Sequence, residues 1–320
     1  MKRILVTGAA GQVGAELVPA LCAAYGEAAV LATDVKQPST GLLLDGRFEL
    51  LDCLSVPALR SAIVRHRPDT IYHLAALLSV SAERSPQLAY EVNMGTLVNV
   101  LEAARETGCA VFTPSSIAVF GPNAPRDPAP QDTIQRPSTM YGVTKVAGEL
   151  LCDYYHTRYG VDTRGLRYPG LISHVAPPGG GTTDWAVDIF YHAIEYGRYR
   201  CFLAADAQLD MMYMPDAVRA AIGVMEADAA RLKHRNAFNV TAMQFSPAVL
   251  SDVIRRHIPA FEIDYDIDPV RQAIAESWPR RIDDRAAREE WGWCPQYDID
   301  AMVADMIVQL RKKLANAAAR

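Results

Sequence analysis

Short apolar runs alternate with amphipathic stretches through the first half of the chain. Residues 3–8 (RILVTG) are apolar and β-branched, the pattern of a strand buried on both faces. Residues 12–25 place Val13, Leu17, Val18 and Leu21 at helical spacing. The runs at 28–34, 48–53, 70–76 and 109–116 read as further strands. Helices are predicted near 56–66, 86–107 and 139–159, followed by a strand through Gly165-Leu166-Arg167-Tyr168. Strands separated by helices imply right-handed crossovers and a parallel sheet.

After Pro169 the rhythm changes. The stretch 176–185, APPGGGTTDW, interrupts it; a helix at 184–196, a strand at 211–214, a helix at 215–226 and a strand at 237–241 follow. The pattern predicts an α/β fold: a Rossmann-type doubly wound parallel sheet with helices on both faces and a smaller C-terminal α/β substrate lobe. Residues 1–170 read as the cofactor domain, with 215–241 returning to its sheet. Residues 171–214 and 242–320 read as the substrate lobe.

Composition narrows the function classes. Half of the 320 residues are hydrophobic, enough for a sizeable core, and the net charge of −5 gives no reason to expect a nucleic acid or an anionic membrane as partner. No apolar run approaches the ~18 residues of a membrane helix, and no signal peptide is read before the first strand. Six cysteines are scattered without a CxxC pair, so free thiols in a reducing compartment, the cytoplasm, are expected. The histidines form no HxxxH pair, and no metal site is expected.

Two constellations carry chemistry. Gly8-Ala9-Ala10-Gly11-Gln12-Val13-Gly14 follows the first strand and opens the first helix, a GxxGxxG turn suited to a pyrophosphate. Asp34 closes the second strand, where a carboxylate grips a ribose diol and repels a 2′-phosphate, favouring NAD over NADP. Asp52 and Cys53, at the end of the next strand, are candidates for the adenine edge. Tyr141 and Lys145 stand at i and i+4 on one helix face. The lysine ammonium, together with the positive nicotinamide ring, is expected to lower the phenol's pKa from its reference value of about 10, making Tyr141 a general base. Ser116, at a strand end, is placed to bind the substrate oxygen.

With these motifs, His73-Leu74-Ala75-Ala76, Asn93, Ser115 to Gly121 and Leu166-Arg167-Tyr168-Pro169 make the chain resemble the extended short-chain dehydrogenases, a group that includes UDP-galactose 4-epimerase. The resemblance implies a Ser116–Tyr141–Lys145 triad and NAD contacts at Asp34, Leu74, Ala75, Ala76, Asn93 and Tyr168. It also implies a homodimer through the helices near 86–107 and 139–159.

The glycine run decides between substrates. Glycines up to Gly181 let backbone approach a ligand. Thr182 and Thr183 add hydroxyls, and a helix starting at Asp184 points N–H groups at the same space, a site for one carboxylate. Asp184 is either the helix cap or a partner for an ammonium group. This stretch, Met211 to Ala217, Phe238 to Met243 and Ser277-Trp278-Pro279 are similar to the short-chain L-threonine 3-dehydrogenases. That likeness implies oxidation of L-threonine to 2-amino-3-oxobutyrate with NAD, with Ser79 on the wall opposite Thr182 and Thr183. Closure of the 176–184 loop as a lid is expected. Trp185 and Asp210 depart from the pattern, where tyrosine and proline are expected; the first is read as altering pocket width or lid packing, the second as altering loop stiffness. The alternatives are a sugar-nucleotide epimerase or dehydratase on the same scaffold, or a redox-sensing binding protein without turnover.

Overall fold

A computed structural model describes residues 1–38, 47–176 and 181–318. Of the 176–184 loop, residues 177–180 lie outside the described residues.

The buried apolar runs form strands. These are β1 (Ile4–Thr7), β2 (Val30–Asp34), β3 (Phe48–Leu50), β4 (Thr70–His73), β5 (Ala110–Ser116) and β6 (Thr163–Tyr168). Between them run α1 (Gly14–Tyr25), α2 (Val56–His66), α3 (Ser79–Arg84), α4 (Pro86–Thr107) and α5 (Met140–Tyr159). The remaining elements are β7 (Gly170–Ile172), α6 (Trp185–Glu195), β8 (Arg198–Cys201), β9 (Leu209–Tyr213), α7 (Met214–Glu226), β10 (Phe238–Asn239), β11 (Met243–Phe245), α8 (Pro247–His257), β12 (Glu262–Tyr265), α9 (Pro269–Ser277), α10 (Arg285–Trp291) and α11 (Ile299–Ala318).

Among the described residues, seven strands form the central sheet in the order β10-β6-β5-β4-β1-β2-β3. All its pairings are parallel. This is the expected Rossmann architecture. Val, Ile and Leu in β1, β2, β4, β5 and β6 are buried because helices cover both faces, whereas Leu50 on the edge strand β3 is exposed. On one face Leu17, Val18 and Leu21 of α1 pack near Ala217, Ala221 and Val224 of α7. On the other, Leu59 and Ile63 of α2 join Leu97, Val100 and Leu101 of α4 and Cys152 of α5. Phe238 in β10 pairs with Leu166, so the chain after α7 rejoins the sheet edge.

The later segments build a second core over the carboxyl ends of the strands. β11-β9-β7 form a three-stranded sheet, and β12-β8 pair separately. Trp185, Phe190, Phe245, Leu250, Met306 and Leu310 fill this core. Both departures noted in the sequence find their places here. The Trp185 indole is fully buried, edge-on to Phe245 at 6.0 Å between centroids, and does not line the cleft. It widens a core, not a pocket. Asp210 is a buried acceptor on β9, bonded by the Ile282 N–H at 2.8 Å, by Gln244 Nε2 at 3.2 Å and by the Thr241 hydroxyl. Burial pushes its carboxyl up to about 7. It cross-links β9 to β11 and to the segment after α9; it does not set the stiffness of a loop.

Candidate active site

Parallel sheets bind ligands beyond the carboxyl ends of their strands, where the order of strands reverses. Here the reversal falls between β4 and β1. A cleft of about 200 Å³ opens there. Its walls come from the turn after β1 (Gly8, Gly11, Gln12, Val13, Gly14), the loop after β4 (Leu74, Ala76, Leu78, Ser79), and Ser116, Tyr141, Lys145 and Tyr168. The second lobe adds Gly181, Thr182, Thr183 and Asp184. Chain segments more than 170 residues apart in sequence thus share one cavity.

The glycine turn is built for close approach. Gly8 has φ +72°, and a Cβ there would lie 2.6 Å from Ala75 N. A Cβ on Gly14 would lie 2.6 Å from Ala9. No side chain caps the start of α1, which leaves a positive helix end facing the cleft. Gln12 Nε2 is buried on this wall with no hydrogen-bond partner. An unpaired donor beside an uncapped helix start suits phosphate oxygens. The residues present fit NAD.

Asp34, at the end of β2, accepts Ala10 N–H at 3.0 Å and Lys36 N–H at 3.2 Å. It therefore braces the glycine turn from the next strand. Asp52 accepts the Leu54 N–H at 2.9 Å. Cys53 turns into the core with Leu59 and Leu97, and burial pushes its thiol up to about 12. Asp34, Asp52, Cys53, Ala75 and Asn93 are not among the cleft-lining residues. Asn93 works as a clamp: its side chain pairs with both backbone groups of Leu77, at 2.7 and 3.2 Å, and donates to Thr144 at 3.1 Å. That holds the loop after β4 against α5.

Ser116, Tyr141 and Lys145, the candidate reacting groups, meet in this cleft. Thr139 caps α5 by accepting Gly142 N–H at 3.1 Å, which starts the helix where Tyr141 and Lys145 face one way. The Ser116 hydroxyl hydrogen-bonds the Tyr141 phenol and also accepts Ala118 N–H at 3.2 Å. Lys145 Nζ donates to Pro114 O at 2.6 Å and lies 5.5 Å from the Tyr141 ring centre. Burial pushes the Tyr141 phenol up to about 12, with the Ser116 hydrogen bond opposing. Burial brings Lys145 down to about 8, with Glu149 opposing. His73, between Thr7 and Thr96, is pushed down to about 3 by burial and Lys145, so it stays neutral.

At the other end, Thr182 is 1% exposed and its hydroxyl has no hydrogen-bond partner. Asp184 occupies the position before α6, but its side chain does not cap that helix. Its carboxylate instead accepts Gly181 N–H at 2.7 Å, closing a small turn. Two features escaped sequence reasoning. Trp278 lines the cleft from the end of α9, and no local pattern announces its arrival. Glu149 and Arg167 form a buried bidentate pair, at 3.0 and 2.8 Å, behind Ser115 and Lys145. A charged residue inside a strand buried on both faces was the available signal for Arg167.

A family model described as NAD dependent epimerase/dehydratase family matches residues 4–241. An uncharacterized epimerase/dehydratase of Staphylococcus saprophyticus is 51% identical over 314 residues, spanning 98% of each chain. The crystal structure of an L-threonine dehydrogenase from Clostridium difficile superimposes with a TM-score of 0.95 at 52% identity, over 98% of each chain. A GalE-like L-threonine dehydrogenase from Cupriavidus necator, in its holo form, gives 0.93 at 49% identity, over 96% of this chain and 99% of that one.

Proposed function

We propose that this chain, which belongs to the NAD-dependent epimerase/dehydratase family, oxidises L-threonine at its β-hydroxyl to 2-amino-3-oxobutyrate. One observation carries the reading. The cleft that holds Ser116, Tyr141 and Lys145 ends in Thr182, whose buried hydroxyl has no partner, at the start of α6. That end offers hydroxyl groups and the start of α6 to an amino acid's carboxylate. The solved structures of similar sequence are of L-threonine dehydrogenases, which supports the same substrate.

The residues then take defined roles. Thr182 and Thr183 receive the carboxylate, and the Asp184 carboxylate on the same wall complements the ammonium. Ser116 holds the β-oxygen, and Tyr141 as phenolate accepts its proton. Lys145, anchored on Pro114 O, favours the phenolate by its charge. Gly8 to Gly14 and Asp34 hold NAD, which when bound supplies the hydride acceptor. A sugar-nucleotide substrate is disfavoured, because a diphosphate needs cations. Lys145 is the cation among the described lining residues, and the stretch 177–180, PPGG, carries none.

The test is direct. Purified protein is mixed with NAD and L-threonine, L-allo-threonine or UDP-galactose, and NADH absorbance and sugar conversion are followed. NADH with L-threonine alone is expected. Conversion of the UDP-sugar without threonine-dependent NADH overturns the reading.

Cofactor choice is tested at Asp34. Replacing it with Ser removes a negative charge from the end of β2 and the brace on Ala10 N–H. The NADP/NAD ratio of kcat/KM is expected to rise about tenfold or more, as expected when a repulsion of about 1.4 kcal/mol is relieved. An unchanged ratio would remove Asp34 from the cofactor site.

We also propose that a second copy packs on α4 and α5. These helices pack together, and Leu88, Tyr90, Val143, Leu150, Tyr154 and Tyr159 on them are exposed. Such a patch on helices is suited to an isologous interface. Light scattering after size exclusion is expected to give a dimer for the wild type and a monomer for Leu150→Glu. A monomeric wild type rejects the interface.

A further inference from the structure

The chain leaving β7 is fastened by several elements before it reaches the substrate residues. Ser173, fully buried, donates its hydroxyl to Glu16 Oε1 on the first turn of α1. Ser173 Oγ also accepts Val175 N–H at 3.1 Å and Ala176 N–H at 3.4 Å. His174 Nδ1 lies 2.9 Å from Tyr213 Oη on β9, which donates to Asp305 on α11 at 2.7 Å. Lys313, further along α11, donates to the carbonyls of His174 and Val175 at 3.1 and 2.8 Å. It also reaches the Tyr191 hydroxyl on α6 at 3.0 Å.

Glu16 is the link in this set that comes from the cofactor helix. It sits two residues after Gly14, on the turn whose start faces the cleft. β7, which precedes Ser173, lines the same cleft through Gly170 and Leu171. We propose that Glu16 is a positioning residue: its carboxylate ties the root of the substrate loop to the cofactor helix and so sets the affinity for the amino-acid substrate. The substrate part rests on the L-threonine reading above.

The donor order explains why ionisation matters. An ionised carboxylate only accepts, so the Ser173 O–H must point at it, leaving the serine lone pairs for Val175 and Ala176. A protonated carboxyl also donates, and an O–H pointed at Ser173 Oγ competes with the Val175 and Ala176 N–H groups for the serine's two lone pairs. The groups facing Glu16 are the Ser173 hydroxyl, Tyr213 on β9, Asp305 on α11, and Arg219 and Glu226 of α7 across a surface groove. Among the described residues no cation forms an ion pair with Glu16. Burial, with Asp305 adding and Ser173 opposing, pushes it up to about 7. The ordered form therefore prevails above that pH and is lost as pH falls through it.

The test compares wild type, Glu16→Ala and Ser173→Ala in two ways. KM and kcat for L-threonine are measured between about pH 6 and pH 9, and amide hydrogen exchange of residues 173–176 is followed without substrate. Wild-type KM is expected to climb below about pH 7, and protection at 173–176 to fall with it. Glu16→Ala, which has no acceptor for Ser173, should show a KM about tenfold higher without that step, with kcat and the NADH dissociation constant within about twofold. Ser173→Ala should behave likewise. Equal KM profiles in wild type and Glu16→Ala overturn the proposal. If the wild type does not turn over L-threonine, the substrate reading fails separately. Exchange then still decides the link, and unchanged protection in both variants refutes it.

Discussion

Tyr141→Phe is expected to lower kcat for L-threonine roughly a thousand-fold, the usual scale for losing a positioned base, while the NADH dissociation constant stays within about threefold. The ring remains to fill its place beside Lys145, which keeps its bond to Pro114 O. Only the phenol oxygen is lost, and with it the partner of Ser116. Burial holds the ligand-free phenol up to about 12, so the reactive phenolate is a minor form at neutral pH. Turnover should therefore rise with pH from the acid side. Lys145 limits this, because burial brings it down to about 8, and a neutral amine no longer favours the phenolate. The residual rate of the variant should lack the acid limb. Steady-state NADH absorbance and a fluorescence titration check both parts. Wild-type turnover in Tyr141→Phe would place the base elsewhere.

Gly8→Ala is expected to weaken NADH binding by about a hundred-fold or more, equivalent to about 3 kcal/mol. Two costs combine. A φ of +72° suits glycine, and a Cβ there costs about 1–2 kcal/mol. The Cβ would also lie 2.6 Å from Ala75 N and 2.8 Å from Leu74 C. Backbone cannot step aside as a side chain can, so the loop after β4 must move. That loop carries Leu74 and Ala76 onto the cleft wall. Gly26→Ala separates the costs, because Gly26 has φ +86° but nothing within 4 Å of its Cβ position. It should lower stability by about 1 kcal/mol and leave NADH affinity unchanged. Equal NADH affinity in wild type and Gly8→Ala would show that the close approach does not matter for the cofactor.

Much of the cofactor half was legible because its signals are local. The glycine turn, the apolar strand before it and the helix after it lie within a short span, and Asp34 stands at the end of the next strand. Helix limits were also readable: Pro86 opens α4, and its last residue, Thr107, is the predicted one. The substrate half was legible as chemistry but less so as geometry. Asp184 read as either a cap or an ammonium partner; its side chain does not cap α6, and its carboxylate binds Gly181 N–H. Cys53 read as a strand-end neighbour of the adenine, yet its side chain belongs to the core under α2 and α4. Strand periodicity gives two faces, but the residue that leaves a strand can turn to either.

By itself the sequence determined the order of strands and helices, the buried runs, and which residue types are candidates for proton, phosphate and carboxylate chemistry. Those follow from period, turn residues and side-chain chemistry within a few residues. Tertiary structure alone decided which of them meet. The strand order β6-β5-β4-β1-β2 sets Ser116, Leu74, Gly8 and Asp34 along one edge. The second lobe then brings Thr182 and Trp278 over them. It also decided that Tyr141 is harder to ionise than an exposed phenol, that Arg167 pairs with Glu149 inside the sheet, and that Glu16 reaches Ser173. Burial and contacts between distant segments control these outcomes, and neither is a property of any local stretch of chain.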